Sequence, residues 1–435
     1  MDDVPPTPIE ASEAPPVSTV TTAAHQAADD APRSSRRVTL AVLALAMGGF
    51  AIGTTEFVTM GLIREMADGV GVSIPSAGHV ISAYAVGVVV GAPVLAYFGA
   101  RWPRRALLVV LMLVFALFNV ATALATSFEM LVVARFLDGL PHGAYFGVAS
   151  LVAASLVPEG RKGRAVAAVM LGLSVANVVG VPAATWLGQH LGWRAAYWAV
   201  ALLSLLTVAL IVACVPSCPG DAEATGRREL AAFANPRVWV TLLAGAIGFG
   251  GMFAVFSYVA PTVTRVGGLG DGAVPVFLLA FGLGMVAGTW AAGRLADWSV
   301  SHSLVIGAFG MGLALLAFWL LSPTGWGLLP VAFTVTTLGS VLVVNLQLRL
   351  MDVAGDAQTL GAALNHASLN VANALGAWLG GLVIAAGAGY RAPALVGVGL
   401  SVAGVLVVLV ANRMQAAHAA RTAQRPAAHS SAVTS

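Results

Sequence analysis

Apolar stretches of about 20 residues recur from Val38 to Asn412, parted by short polar segments. Each is long enough to cross a hydrocarbon core roughly 30 Å thick as a helix. The pattern predicts an all-α membrane protein of twelve transmembrane helices, six within 38–215 and six within 238–412. The polar stretch 216–237 is the one long internal connection and reads as a cytoplasmic linker between two six-helix bundles. Residues 1–37 and 413–435 read as disordered cytoplasmic tails, rich in Ala, Ser, Thr and Pro, and the first has no apolar run that would serve as a signal-peptide core.

Composition sharpens this picture. Only 9% of the 435 residues are charged and 58% are hydrophobic, whereas a soluble protein carries roughly a quarter charged residues. So little charge cannot clothe a water-facing surface, and lipid is the main solvent. The net charge of +3 reports topology rather than a nucleic-acid partner, because Arg and Lys sit almost entirely in the short segments between apolar runs. With the N-terminus inside, Arg64, Arg194, Arg265 and Arg391 are the basic residues left outside, and Arg135 lies within a span. That asymmetry puts both termini in the cytoplasm.

Several chemistries drop out. Cys214 and Cys218, without a nearby His or further Cys, make neither a closed zinc site nor a disulfide framework, so no metal or cofactor is expected. No Gly-x-x-x-x-Gly-Lys-Ser/Thr loop is present, and Lys162 stands in a polar loop, so ATP hydrolysis is not the energy source and no enzymatic activity is expected. Gly248, Gly250 and Gly251 lie inside an apolar span as helix contacts.

Repetition comes next. Val175-Ala176-Asn177 with Gly180 recurs as Val371-Ala372-Asn373 with Gly376, at an offset of 196. Trp193-Arg194-Ala195 recurs as Tyr390-Arg391-Ala392 at an offset of 197. Two matches at nearly one offset, in matching topological positions, predict a duplication with Asn177 and Asn373 as symmetry mates.

Elimination locates the candidate chemistry. Nearly all acids fall in tails or loops, and only Glu56 and Asp138 lie inside spans, with Arg135 the only cation there. Ionisable groups in lipid are costly and normally face a protein interior or a wet cavity. All three stand at similar depth, roughly 10–15 Å from the outer ends of their spans at 1.5 Å rise per residue. Arg135 and Asp138 share a helix face. A carboxyl group held between poor solvation and a guanidinium suits proton exchange, so Glu56, Asp138 and Arg135 are the proton-coupling candidates, with Glu56 first. The alternative is a permanent Glu56–Arg135 or Asp138–Arg135 pair joining two helices. His142, one turn from Asp138, is either a proton relay or a structural histidine. His366, Asn370 and Asn373 share a face, for cavity lining or for interhelical hydrogen bonds. Asn177, Asn345, Gln347, Phe253 and Phe256 complete the substrate-facing candidates. The cavity is expected between the halves, mostly apolar and lined by spans one, four, seven and ten.

The chain resembles the major facilitator superfamily, and more closely the arabinose-efflux-permease type of the drug:proton antiporter-1 group. The likeness lies in Ser73-Ile74-Pro75-Ser76-Ala77-Gly78-His79, Gly139-Leu140-Pro141-His142-Gly143-Ala144 and Phe256-Ser257-Tyr258-Val259, and extends over essentially all of Val38 to Asn412. It implies the major facilitator fold, two pseudo-symmetric six-helix bundles. It also implies a monomer in the bacterial inner membrane that couples proton flow to export of a small organic compound, a drug-like molecule or a sugar derivative, by alternating access. Proton-symport uptake of a sugar or metabolite, and a non-transporting sensor on the same scaffold, are the competing functions. Arg135 through Gly139 resembles the family's Arg-x-x-x-Gly element, which is associated with proton coupling. Phe98-Gly99-Ala100-Arg101-Trp102-Pro103-Arg104-Arg105 sits where the family has Gly-x-Leu-Ala-Asp-Arg-x-Gly-Arg-Arg, a gating loop that latches one state. Its acid is replaced by Ala100, leaving Arg101, Arg104 and Arg105, whereas the second-half loop keeps Arg294 and Asp297. Gly180 and Pro182, with Gly172 and Gly188, resemble the antiporter signature of the fifth span, but Val181 intervenes between Gly180 and Pro182.

Overall fold

A computed structural model describes residues 35–72, 74–217 and 225–423. Its contacts set Met1–Thr39, of which only the opening turn of a helix is described, apart from Leu40–Ser435. The first helix, α1, is Ser35–Gly61, followed by the short Ile63–Val70. Then come α2 (Ile74–Gly99), α3 (Arg104–Leu124) and α4 (Phe128–Ser155). Helix α5 runs as Lys162–Val175, a π-helical turn Ala176–Gly180 and Val181–Leu191, and α6 is Trp193–Cys214. Helix α7 is Pro236–Gly248 continued by Gly250–Phe256. The element Val274–Leu321 is broken at Ser299, whose φ of −168° and ψ of 112° are extended, so it divides into α8 (274–298) and α9 (300–321). Helices α10 (Leu329–Val353), α11 (Gln358–Val383, then a wide turn Ile384–Ala388) and α12 (Ala392–Ala423) complete the set.

Among the described residues, nine stretches are long and apolar enough to cross a membrane. One of them, Val274–Val353, contains the break at Ser299 and the 3-10 segment Ser322–Leu328. Helix α4 is not among the nine, its apolarity lowered by Arg135, Asp138, Pro141 and His142. Divided at those breaks and with α4 added, the helices accommodate twelve passes.

Three boundaries differ from the sequence reading, the first because α1 begins at Ser35, so 35–37 are helical rather than tail. Helix α12 continues to Ala423, so 413–423 are helical; that segment is rich in alanine, the strongest helix former. Within 216–237, Thr225 caps a short helix Gly226–Leu230 by accepting the Arg228 N–H, and Asn235 caps α7 by accepting the Arg237 N–H, so the linker is partly folded. The tails expected over 1–34 and 424–435, and Cys218 in the linker, lie outside the described residues.

Small residues set the packing. A Cβ on Gly87 or Gly91 of α2 would overlap the carbonyl oxygen of Phe136 or Leu140 in α4. In the second half Gly284 and Gly288 of α8 meet the carbonyls of Phe333 and Thr337 in α10 in the same way. All four of these positions lie 197 residues beyond their counterparts, so the duplication read from two short motifs extends to the backbone contacts. Likewise α1 packs on α5 through Ala46 and Gly172, and α7 on α11 through Gly250 and Gly376. Such close backbone approach is how membrane helices gain packing where lipid offers no hydrophobic drive.

Candidate transport site

A cavity of about 80 Å³ lies among α1, α4, α5, α7, α8, α10 and α11. Its wall is largely Phe57, Phe146, Phe249, Phe253, Phe256, Met170, Met252, Met285, Leu173, Leu369, Val343 and Val344. Glu56, Ser174, Asn177, Thr289, Ser340, His366, Asn370 and Asn373 supply its polar groups. The four-span lining expected from sequence is therefore too narrow. The glycine contacts draw α5 against α1 and α11 against α7, so both helices reach the cavity, while α4 contributes only Phe146 among the lining residues.

Of the substrate-facing candidates, Asn177, Phe253, Phe256, His366, Asn370 and Asn373 line this cavity. Asn177 stands in the π-helical turn of α5, its Nδ2 donating to the Leu173 carbonyl at 3.1 Å. Asn345 and Gln347 do not reach the cavity. Asn345 is fully buried and donates to the Val341 carbonyl, and Gln347 Nε2 donates to Ser150 Oγ at 3.0 Å. Gln347 thus ties α10 to α4 rather than facing cargo.

The charged residues at depth separate into two environments. Arg135 and Asp138, both completely buried, pair at 2.5 Å on one face of α4. Asn119 Nδ2 of α3 donates to the other Asp138 oxygen at 2.7 Å, and Thr55 Oγ1 of α1 donates to Asn119 Oδ1 at 2.7 Å. Arg135 also donates to the Thr55 carbonyl at 3.3 Å and lies over the Tyr84 ring, 4.3 Å from its centroid. Glu56, next to Thr55, borders the cavity instead, and among the described residues it makes no hydrogen bond or ion pair. The pairing alternative is thus realised as Arg135–Asp138; Glu56–Arg135 is not a contact. Thr55, Asn119 and Tyr84 escaped the sequence reading because they come from three other helices with no motif linking them.

His142 is 1% exposed and hydrogen-bonds on both sides, from Nδ1 to Tyr84 Oη at 2.9 Å and from Nε2 to His366 Nδ1 at 3.0 Å. It sits behind the cavity wall and joins α2 to α11 through α4. His366, left between cavity lining and interhelical bonding, does both through this contact and the lining, whereas Asn370 lines the cavity and donates only to the His366 carbonyl within α11.

On the face that the charge pattern assigns to the cytoplasm, helices of the two halves touch closely. A Cβ on Gly147 of α4 would crowd the Thr359 carbonyl at the start of α11, and one on Gly163 of α5 would crowd Ala296 and Asp297. Arg164 of α5 donates to Asp297 at 2.5 Å. The retained second-half acid therefore engages the end of a first-half helix. Arg294 stacks over Trp290 at 3.5 Å. In the first-half loop Arg104 donates to Thr359 Oγ1 at 3.5 Å, Arg105 donates to the Val212 carbonyl and Arg101 is exposed. No acid stands at Ala100, but the linker brings one to the same region: buried Glu229 accepts the Leu360 N–H at the start of α11. Burial pushes the Glu229 carboxyl up, opposed by that backbone bond and by Arg104 and Arg228. Glu229 and Arg104 line one cavity of about 240 Å³ with Ala100. Gly180 fits against Thr54 and Phe50 of α1, and Pro182 sits exposed just after the π-helical turn of α5.

The geometry agrees with what the chain is similar to. A family model described as Major Facilitator Superfamily matches residues 45–365. An Escherichia coli (strain K12) protein named "Inner membrane transport protein YdhP" is 39% identical over 87% of this chain and 97% of its own length. A "Chloramphenicol resistance protein" of Streptomyces lividans is 38% identical over 76% of this chain and 86% of its own. Among solved structures, the proton:xylose symporter XylE superposes with a TM-score of 0.70 at 16% identity, covering 86% of this chain and 95% of that one, a likeness of fold alone. With a family model matching most of its length and near-full-length relatives well above 30% identity, this multi-pass membrane protein belongs to the major facilitator superfamily of transporters.

Proposed function

We propose that this protein exports small, largely apolar organic compounds in exchange for protons, by alternating access, with both termini in the cytoplasm. One observation carries the reading: a cavity walled by phenylalanine and methionine holds a single carboxyl group, Glu56, that has no ionic partner. The apolar wall suits drug-like cargo better than a free sugar, whose many hydroxyls would find few partners there. The similarity to a chloramphenicol resistance protein supports the same cargo class. Glu56 is the group we assign to proton exchange, because a proton can tip a conformational equilibrium only where its affinity differs between the states. The test is reconstitution in liposomes with an imposed pH gradient, using chloramphenicol and a panel of apolar drugs. Gradient-driven flux of at least one compound, lost on collapsing the gradient, is the expected result; flux indifferent to the gradient would refute the coupling.

A further inference from the structure

The polar chain that begins at Tyr84 ends at a nitrogen with nothing to bond. Tyr84 Oη meets His142 Nδ1 at 2.9 Å, His142 Nε2 meets His366 Nδ1 at 3.0 Å, and His366 Nε2 is buried without a partner. His366 lines the cavity, its ring stacked on Phe146 with centroids 4.2 Å apart. With Nδ1 turned back to His142, Nε2 is the polar atom this side chain has left for whatever fills the cavity.

The direction in which the hydrogens run decides what that atom offers. Burial at 1% and 3% exposure favours neutral rings. A neutral imidazole has one N–H and one lone pair, so the hydroxyl and both rings must all point the same way. Three hydrogens then serve two bonds, and one is left over. If Tyr84 accepts, the surplus hydrogen is its own O–H; if Tyr84 donates, the surplus is the N–H at His366 Nε2.

The two ends are not equivalent. Tyr84 is 2% exposed, and His142 is its sole hydrogen-bond partner among the described residues, so a hydrogen left there would be buried and unbonded, at a cost of about 1–3 kcal/mol. It would also lie beneath the Arg135 guanidinium, which stands over the phenol ring. That cation draws electron density from the ring and makes Tyr84 a stronger donor and a weaker acceptor. At the other end the surplus N–H belongs to a ring that lines the cavity, so it lacks a partner only while the cavity wall stays closed over it. We infer that His366 presents a hydrogen-bond donor to the cavity. On the reading of this cavity as the transport site, the cargo is then a molecule with a neutral acceptor, a carbonyl or ether oxygen, that meets His366 Nε2 while its apolar body lies among the aromatic and methionine side chains. An anionic acceptor is disfavoured because the Glu56 carboxyl borders the same cavity.

Two measurements on the purified full-length protein test this. Nitrogen-15 spectra of histidine-labelled protein should show His142 and His366 both protonated at Nε2, and Tyr84→Phe should release them to mixed tautomers. His366 protonated at Nδ1 in the wild type would overturn the inference. Binding of benzophenone and of diphenylmethane, which differ by the carbonyl, should separate in His366→Phe: about ten-fold loss for the ketone and little change for the hydrocarbon. Equal loss for both would overturn the assignment of the acceptor. Should neither probe bind the wild type, the cargo claim and the transport reading of the cavity fall, while the spectra still decide the donor.

Discussion

Asp138 and Glu56 carry carboxyl groups at similar depth but are held in opposite ways. Asp138 has both oxygens bonded, to Arg135 and Asn119, whereas Glu56 borders the cavity with no hydrogen bond or ion pair among the described residues. A satisfied carboxylate is a structural element; an unsatisfied one beside a cavity is free to change its proton. Glu56→Gln should therefore abolish gradient-driven flux while leaving thermal stability close to that of the wild type, as liposome transport and thermal unfolding in detergent would record. Asp138→Asn should mainly lower stability. Full gradient-driven transport by Glu56→Gln, with loss in Asp138→Asn, would move proton exchange to α4.

Arg135 anchors α4 to three helices through Asp138 and Asn119, Thr55 and the Tyr84 ring. Its removal strands a buried carboxylate, for which roughly 3–5 kcal/mol is the expected loss. Arg135→Ala should unfold at markedly lower temperature. The double variant Arg135→Ala with Asp138→Ala should recover part of that loss, because no charge is left unpaired. A double variant less stable than Arg135→Ala alone would contradict this account.

Glu229 makes the linker a strap on the start of α11. Because burial raises its carboxyl above the ordinary 4.5, the fold holds this proton more tightly than the unfolded chain does. The sign follows: stability from this group is full below the ordinary value and declines as pH rises through the raised one. Glu229→Gln keeps an acceptor for the Leu360 N–H and should flatten that pH dependence. Glu229→Ala should speed hydrogen exchange at the first turn of α11, near Leu360. Unchanged exchange there would remove the strap.

Gly147 has no room for a side chain against the Thr359 carbonyl. Gly147→Val should therefore pry α4 from α11 and raise thiol labelling of a cysteine placed at Ser150, whose hydroxyl otherwise accepts from Gln347. Labelling equal to that of the unpried control would mean that this contact does not hold the face closed.

Much of the fold was legible because lipid leaves a helical chain few options, and spans, duplication and the Arg135–Asp138 face all follow from spacing on one strand of sequence. Asn177 and Asn373, singled out by the repeat, both line the cavity. What was not legible depends on neighbours from elsewhere. Tyr84, Asn119 and Thr55 close around Arg135 from three helices, and nothing local marks them. Glu229 sits in a stretch whose composition reads as linker. Met170, Met252 and Met285 read as ordinary membrane-helix residues, since apolar periodicity is uninformative where every face is apolar.

Those three methionines bear on how choosy the protein is. A void of about 80 Å³ is smaller than the roughly 300–1,000 Å³ of a typical ligand pocket, so on the proposed reading cargo would enter only as the wall gives way. Unbranched thioether chains yield and refill with little penalty, unlike the branched residues of a fixed mould. The outline of the guest is thus left open, and discrimination falls to the few fixed polar points. Compounds of quite different shape should share one carrier as long as each speaks to those points in the same chemical language.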